Sequence, residues 1–173
     1  MIPASRKLAL GFCCEPLENE SGYTSQIRYP RSSEGARLVS VMLSDAARMD
    51  PRRAVFQLAH EVIHLLAPLG RRNGLVIEEG LATANSRAES INRQLYITPQ
   101  EEDYLRAESL VEEFLSLHPD GIRRLREIAP SFKDFSPDLI CSTCEGTPLA
   151  LATALCKPFA RGNELFLYKG DGL

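Results

Sequence analysis

His60, Glu61 and His64 stand in the run His60-Glu61-Val62-Ile63-His64, an HExxH pattern. Two residues four apart on an α-helix lie about 40° apart around the axis and one turn apart along it, so both imidazoles can meet a single ion. Glu61, one step round from His60, can touch a water on that ion without ligating it, as a general base does in zinc-dependent hydrolysis. Coincidence is a poor account of the pattern. With His at about 2 % and Glu at about 6 % of residues, an accidental HExxH falls in under about 1 % of chains this long. A catalytic zinc usually takes three protein ligands and keeps a fourth position for water. The next carboxylates downstream are Glu78 and Glu79, in Ile77-Glu78-Glu79-Gly80-Leu81-Ala82. Adjacent helical side chains point about 100° apart, so only one of the two can face a metal. Two acids at a helix start are also what the macrodipole alone favours. Gly80, next in line, has no side chain to hold a neighbouring backbone away.

Residues so placed need a frame. Asp50 can cap a helix and Pro51 suits its first position. Val55, Phe56, Leu58, Ala59, Val62, Ile63, Leu65 and Leu66 then give a broad apolar surface, so the HExxH helix is expected to be buried on several sides and to end at Pro68 and Gly70. Two His and a Glu there carry a desolvation cost unless paired or metal-bound. A second helix is predicted near Val76 to Leu95, with Leu81, Ala84, Ala88, Ile91 and Leu95 recurring at spacings of three and four. A third spans Pro99 to Leu117, with Thr98 and Glu101 as a capping box, and a short basic helix covers Asp120 to Ile128. Upstream, Lys7 to Cys14, Tyr23 to Tyr29 and Ala36 to Leu43 read as strands of a small antiparallel sheet, separated by turn-like ENESGYTS and PRSSEG. The tail from Pro130 gives no clear assignment beyond an apolar run at Leu149 to Cys156.

With 173 residues, 44 % hydrophobic and 25 % charged, the chain has the size and balance of one domain, 1–173. Twenty Lys and Arg against 23 Asp and Glu leave a formal charge of -3, with no basic surplus for a nucleic acid backbone. No apolar run approaches the roughly 18 residues of a membrane span, so neither nucleic acid nor membrane is an expected partner. Arg6 and Lys7 precede about seven apolar residues, but Cys13, Cys14 and Glu15 replace a small-residue cleavage pattern, and the segment reads as a strand. A cytoplasmic location is expected, and with it reduced thiols for the five cysteines at Cys13, Cys14, Cys141, Cys144 and Cys156.

HExxH followed on the next helix by Glu-Glu-Gly-Leu-Ala resembles the gluzincin metallopeptidases, in particular the branch whose third ligand lies in an Asn-Glu-Gly-aromatic-Ala type motif. The likeness covers about residues 36–95, the metal-site core, and leaves 96–173 as a helical C-terminal part. It implies an α+β, zincin-like fold: a small N-terminal antiparallel sheet, a buried active-site helix, a ligand helix and a mainly helical C-terminal part. It implies Zn2+ held by His60, His64 and Glu79, with Glu61 as the base, and hydrolysis of peptide bonds in a peptide or protein substrate. The strand at Ala36 to Leu43 would then be the sheet edge along which an extended substrate lies. The chain departs from relatives of this kind in two ways. Only 14 residues, 65–78, link His64 to Glu79. Thr83 stands where the thermolysin-like branch has an Asp that orients a ligand histidine, so another carboxylate or a backbone carbonyl must do so. Metzincins are excluded, with Ala67 in place of their Gly and Gly70 in place of their third His. Peptide deformylases take a cysteine ligand upstream, for which Cys13 or Cys14 could serve, but Ile63 replaces their usual Asp and Glu79 would have no purpose.

Tyr96, Tyr104, His118 and Tyr168 are the candidate donors to a developing oxyanion, although His118, before Pro119 at a helix end, suits a cap partner. Cys141-Ser142-Thr143-Cys144 lacks the second CxxC or His pair of a structural zinc site and reads as inert thiols. Cys13 or Cys14 could instead give a latent form its fourth ligand. Arg123, Arg124 and Arg126 with Lys133 read as a solvated helix face, with docking to an acidic partner the lesser reading. The alternative to an enzyme is a degenerate or metal-binding protease-like module acting through protein contacts with little turnover.

Overall fold

β-Branched residues favour a pleated, half-buried surface, and Val39 and Val41 lie in such a strand. A computed structural model describes residues 9–13, 26–28, 38–66, 74–97 and 101–160. Its strands are β1 (Ala9–Cys13), β2 (Gln26–Arg28) and β3 (Leu38–Met42). The sheet order is β1-β3-β2, with β1 parallel to β3 from Ala9↔Leu38 to Cys13↔Met42 and β2 antiparallel to β3 from Gln26↔Met42 to Arg28↔Ser40. The expected antiparallel sheet is therefore mixed, and β3 is its centre and not its edge. Parallel pairing needs a connection of about a dozen residues or more, which residues 14–37 exceed. The turn stretches ENESGYTS and PRSSEG, and the outer residues of the three strand segments, lie outside the described residues.

Seven α-helices follow among the described residues, so the fold is mostly helical. After β3, a short helix α1 (Asp45–Met49), unforeseen in the sequence, turns the chain into α2 (Pro51–Leu65), which carries HExxH. Asp50 caps α2, accepting from the Arg52 amide at 3.0 Å. Ser44 and Gln57, both buried, anchor the helix to the end of the sheet: Ser44 N–H donates to Gln57 Oε1 at 2.9 Å, and Gln57 Nε2 donates to Ser44 Oγ at 2.7 Å. The expected burial of α2 on several sides is corrected. Its buried residues are Gln57, Glu61 and Ile63, while Val62 and Leu66 are 45 % and 50 % exposed. Gln57 is buried against Ser44, and His60 and His64 turn towards the carboxylates of the next helix. Pro68 and Gly70 lie outside the described residues.

That next helix is α3 (Val76–Asn92), followed by α4 (Glu102–Leu117). The apolar stripe predicted for α3 is also corrected: Ala88 and Ile91 are exposed, and the buried positions include Val76, Ile77, Gly80, Thr83, Ser86 and Ser90. Small residues win that face because α4 comes very close. A Cβ at Gly80 would collide with the Ala107 carbonyl and lie 2.7 Å from Val111 Cγ2. The buried hydroxyls are satisfied within the helix, Thr83 donating to the Glu79 carbonyl at 2.8 Å and Ser86 to the Thr83 carbonyl at 2.9 Å. Three residues short of the expected Leu95, α3 stops, with Gln94 in the left-handed region at φ 54° and Ser90 Oγ bonded to both N–H and C=O of Ile97. The expected capping box at α4 is not formed: Glu101 is itself the N-cap residue, without a side-chain bond, and Thr98 lies outside the described residues.

Behind α4 lie α5 (Gly121–Ile128), a 3₁₀ turn at Phe132–Asp134, α6 (Pro137–Thr143) and α7 (Leu149–Leu155). The apolar run at Leu149 to Cys156 is thus a helix, and Val76, Val111, Phe114, Leu125, Phe132, Ile140, Leu151 and Leu155 share one core cluster. The basic face of α5 is at the surface, with Arg123 and Arg124 exposed and Arg126 half-buried; Arg124 donates to the Thr143 carbonyl, and Arg126 donates to the Leu66 carbonyl at 3.1 Å and lies over Phe132. After α7 the chain returns to the start of α3, where Val76 N–H donates to the Lys157 carbonyl at 2.9 Å and Phe159 N–H to the Gly74 carbonyl at 2.8 Å. Among the described residues, no helix is long and apolar enough to cross a membrane.

Candidate metal centre

The four-residue spacing on α2 brings the two imidazoles to one side, and α3 sets two acids opposite them. Asn85 of α3 ties the helices together by donating to the Ala59 carbonyl at 2.7 Å, one residue before His60. His60 Nε2 stands 3.3 Å from His64 Nε2 and 3.3 Å from Glu79 Oε2, and His64 Nε2 is 3.6 Å from the same oxygen. Atoms about 2.0–2.1 Å from a tetrahedral ion stand about 3.3–3.4 Å apart, so the three separations outline one face of such a tetrahedron. His60, His64 and Glu79 are also the one group among the described residues whose ligand atoms converge as a metal requires. Their side chains are 14 %, 17 % and 14 % exposed, buried enough to be held and open enough to be reached.

The electrostatics are those of a compact ion-paired cluster. Burial by itself would lower the pKa of His64, but hydrogen bonds to Glu78 and Glu79, with the charges of Glu79 and Glu61, push it up to about 10. Burial by itself would raise Glu79, yet hydrogen bonds to His60 and His64 hold it down at about 2. Without metal, then, a proton on His64 answers the Glu79 charge. Glu61 is 3 % exposed and near enough for its charge to act on His64.

Only one acid was expected to face the metal. The structure uses both on the same imidazole: Glu79 Oε2 approaches Nε2, while Glu78 Oε1 lies 2.8 Å from Nδ1. Glu78 is 1 % exposed and its Oε2 has no hydrogen-bond partner. The adjacency of the two acids was visible in the sequence, but their division between two ring nitrogens depends on the rotation of α3 against α2. A Cβ on Gly74 would lie 3.1 Å from Glu78 Oε2 and 3.2 Å from Glu79 Oε1, so a side chain there would press both carboxylates aside by a few tenths of an ångström.

No family model matches this chain, and no curated protein or solved structure matches it either. Of the candidate donors, Tyr104 is brought to the site. Its ring meets His60 edge-on at 5.7 Å between centroids and packs against Phe159 at 4.9 Å. His118 is the C-cap residue of α4, its ring on Phe114, and stands about 20 Å along the helix axis from Tyr104. Tyr96 is 86 % exposed. Tyr168 and Cys14 lie outside the described residues, and nothing is described of the Cys13 side chain. Cys141, Cys144 and Cys156 are free thiols. Burial, with Cys141 nearby, pushes Cys156 up to about 12, and burial also raises Cys144, which makes both poor nucleophiles at neutral pH.

Proposed function

We propose that this chain is a zinc-dependent metallopeptidase of zincin-like build, with His60 Nε2, His64 Nε2 and a Glu79 carboxylate oxygen as metal ligands. The observation that carries this reading is the near-tetrahedral spacing of those three atoms, 3.3, 3.3 and 3.6 Å, beside Glu61. Bound there, the ion would polarise a carbonyl and acidify a water. Glu61 takes a proton from the attacking water and gives it to the amide nitrogen as the C–N bond breaks. Tyr104, against His60, is the best-supported donor to the developing oxyanion. The substrate class is extended polypeptide. In support, β2 lies against α2 and has no second partner strand among the described residues, so its outer backbone can pair with an extended chain. The three free thiols suit a reducing cytoplasm.

The test measures metal content and hydrolysis of unstructured peptides together. Wild type should carry about one zinc per chain, lost in His60→Ala, His64→Ala and Glu79→Ala. Glu61→Gln should keep the zinc and lose about 10²–10⁴-fold in rate. Zinc without hydrolysis in wild type and Glu61→Gln alike, with a protein partner bound equally by both, would favour the non-catalytic module.

A further inference from the structure

We infer that Glu78 is the positioning residue of the metal centre, its carboxylate accepting the Nδ1 hydrogen of His64 and so leaving Nε2 bare for the ion. The inference rests on reading His60, His64 and Glu79 as ligands. A ligating histidine coordinates through one ring nitrogen, and the tautomer that frees it is set by what the other nitrogen touches. At His64 that partner is Glu78 Oε1, 2.8 Å from Nδ1. Thr83, four residues beyond Glu79, cannot take the role because its hydroxyl is committed to the Glu79 carbonyl at 2.8 Å. Glu78 has no other visible employment. It is 1 % exposed, and its second oxygen is unpartnered. A carboxylate so buried costs stability unless a polar partner answers it, and His64 is the partner it has.

The geometry also fixes which acid does which task. Successive residues on α3 point about 100° apart, and His64 stands in the angle between them. Glu79 therefore reaches the nitrogen shared with the His60 side, and Glu78 reaches the far nitrogen of the same ring. A Glu-Glu pair thus supplies both a ligand and the group that aims another ligand, without a contribution from the next turn of the helix.

The test is zinc affinity by competition with a chromophoric chelator, together with long-range proton–nitrogen NMR of the zinc-loaded protein. Glu78→Gln keeps the shape of the side chain but weakens the acceptor. It should still bind one zinc, about 10- to 100-fold more weakly, and the His64 Nδ1 proton should move upfield or exchange rapidly while the wild-type signal stays sharp and downfield. A merely structural role would leave that proton signal unchanged. If Glu78→Gln does not fold, Glu78→Asp keeps the charge one methylene short, and the same loss in smaller degree is expected. Affinity within about twofold of wild type with an unchanged Nδ1 signal, in either folded variant, overturns the inference while leaving the three-ligand site intact. Zinc lost in Glu78→Gln but kept in Glu79→Gln also overturns it, by making Glu78 the ligand. No zinc in wild type overturns the metal reading itself, and this inference with it.

Discussion

The residues that α2 and α3 bury include Gln57, Glu61, Glu78, Thr83 and Ser86; on α4 and behind it they include Phe114, Leu125, Phe132, Ile140, Leu151 and Leu155. The first region buries ionisable and small polar groups, each needing a hydrogen bond to offset its lost hydration. The second buries hydrocarbon, which stabilises in proportion to the area removed from water. The first can hold an ion and cannot carry the fold. The second is mainly hydrocarbon, with Cys144 buried in it, and supplies the rigidity. The contacts that join them include Gly80 against Ala107, the strap from Lys157 to Phe159 along the start of α3, and Tyr104 between His60 and Phe159. The candidate metal site on two helices is thus backed by a hydrophobic block, which reaches it through Tyr104 and Phe159.

The largest effect that sharpens this contrast comes from the hydrocarbon side. Phe114 is fully buried, and Phe114→Ala should cost about 3–5 kcal/mol in urea unfolding. Zinc affinity of the molecules still folded should stay within about twofold, as for distant independent sites. A proportionate loss of zinc affinity would show that the two regions are one cooperative unit. The junction should behave otherwise. Gly80→Ala drives a methyl into the Ala107 backbone and Val111, at about 1–3 kcal/mol, and because Glu79 is the preceding residue the variant should also bind zinc more weakly. Undiminished zinc affinity in that variant would mean that α3 shifts as a whole and that Gly80 serves packing alone.

The same contrast explains what could be read in the sequence. The start of α2 was legible because Asp50 and Pro51 act on backbone two residues away, and HExxH because its meaning is contained in one helical turn. The buried face of α3 was misread because Gly80, Thr83 and Ser86 invert the rule that apolar residues mark the inside; hydroxyls that bond to their own helix can be buried cheaply. The outward Val62 and Leu66 of α2 misled for the complementary reason. The sheet was placed correctly in the chain but not in its order, since the pairing of β1 with β3 depends on residues far apart in sequence. Glu79 was named by the gluzincin likeness; the structure brings it together with His60 and His64 in a group that could hold a metal ion. The contact of Glu78 with His64 Nδ1 bridges two helices and has no local signal.

The smallest effect sharpens the contrast from the polar side, in the metal-free protein. His64 is pushed up to about 10 from an ordinary 6.5, so its proton stabilises the fold fully below about pH 6.5, and that contribution fades as pH rises through 10. Glu79 is held near 2 from an ordinary 4.5, so its charge stabilises the fold above about pH 4.5, and that contribution fades as pH falls through 2. Both contributions are whole only between about pH 4.5 and 6.5, and the melting temperature should be highest there and decline by a few degrees towards pH 9. Glu79→Gln removes one of the two carboxylates that hold the proton and should make the decline shallower, with the Glu78 contact remaining. Phe114→Ala should lower the whole curve without changing its shape, because hydrocarbon burial does not titrate. Added zinc, if His64 is a ligand as proposed, should reverse the slope on the alkaline side, since the ion must displace the His64 proton and would bind better as that proton becomes easier to remove. A metal-free profile level from pH 5 to 9 would place the stability of α2 and α3 in the apolar block after all, with the ion-paired cluster contributing nothing to the fold it occupies.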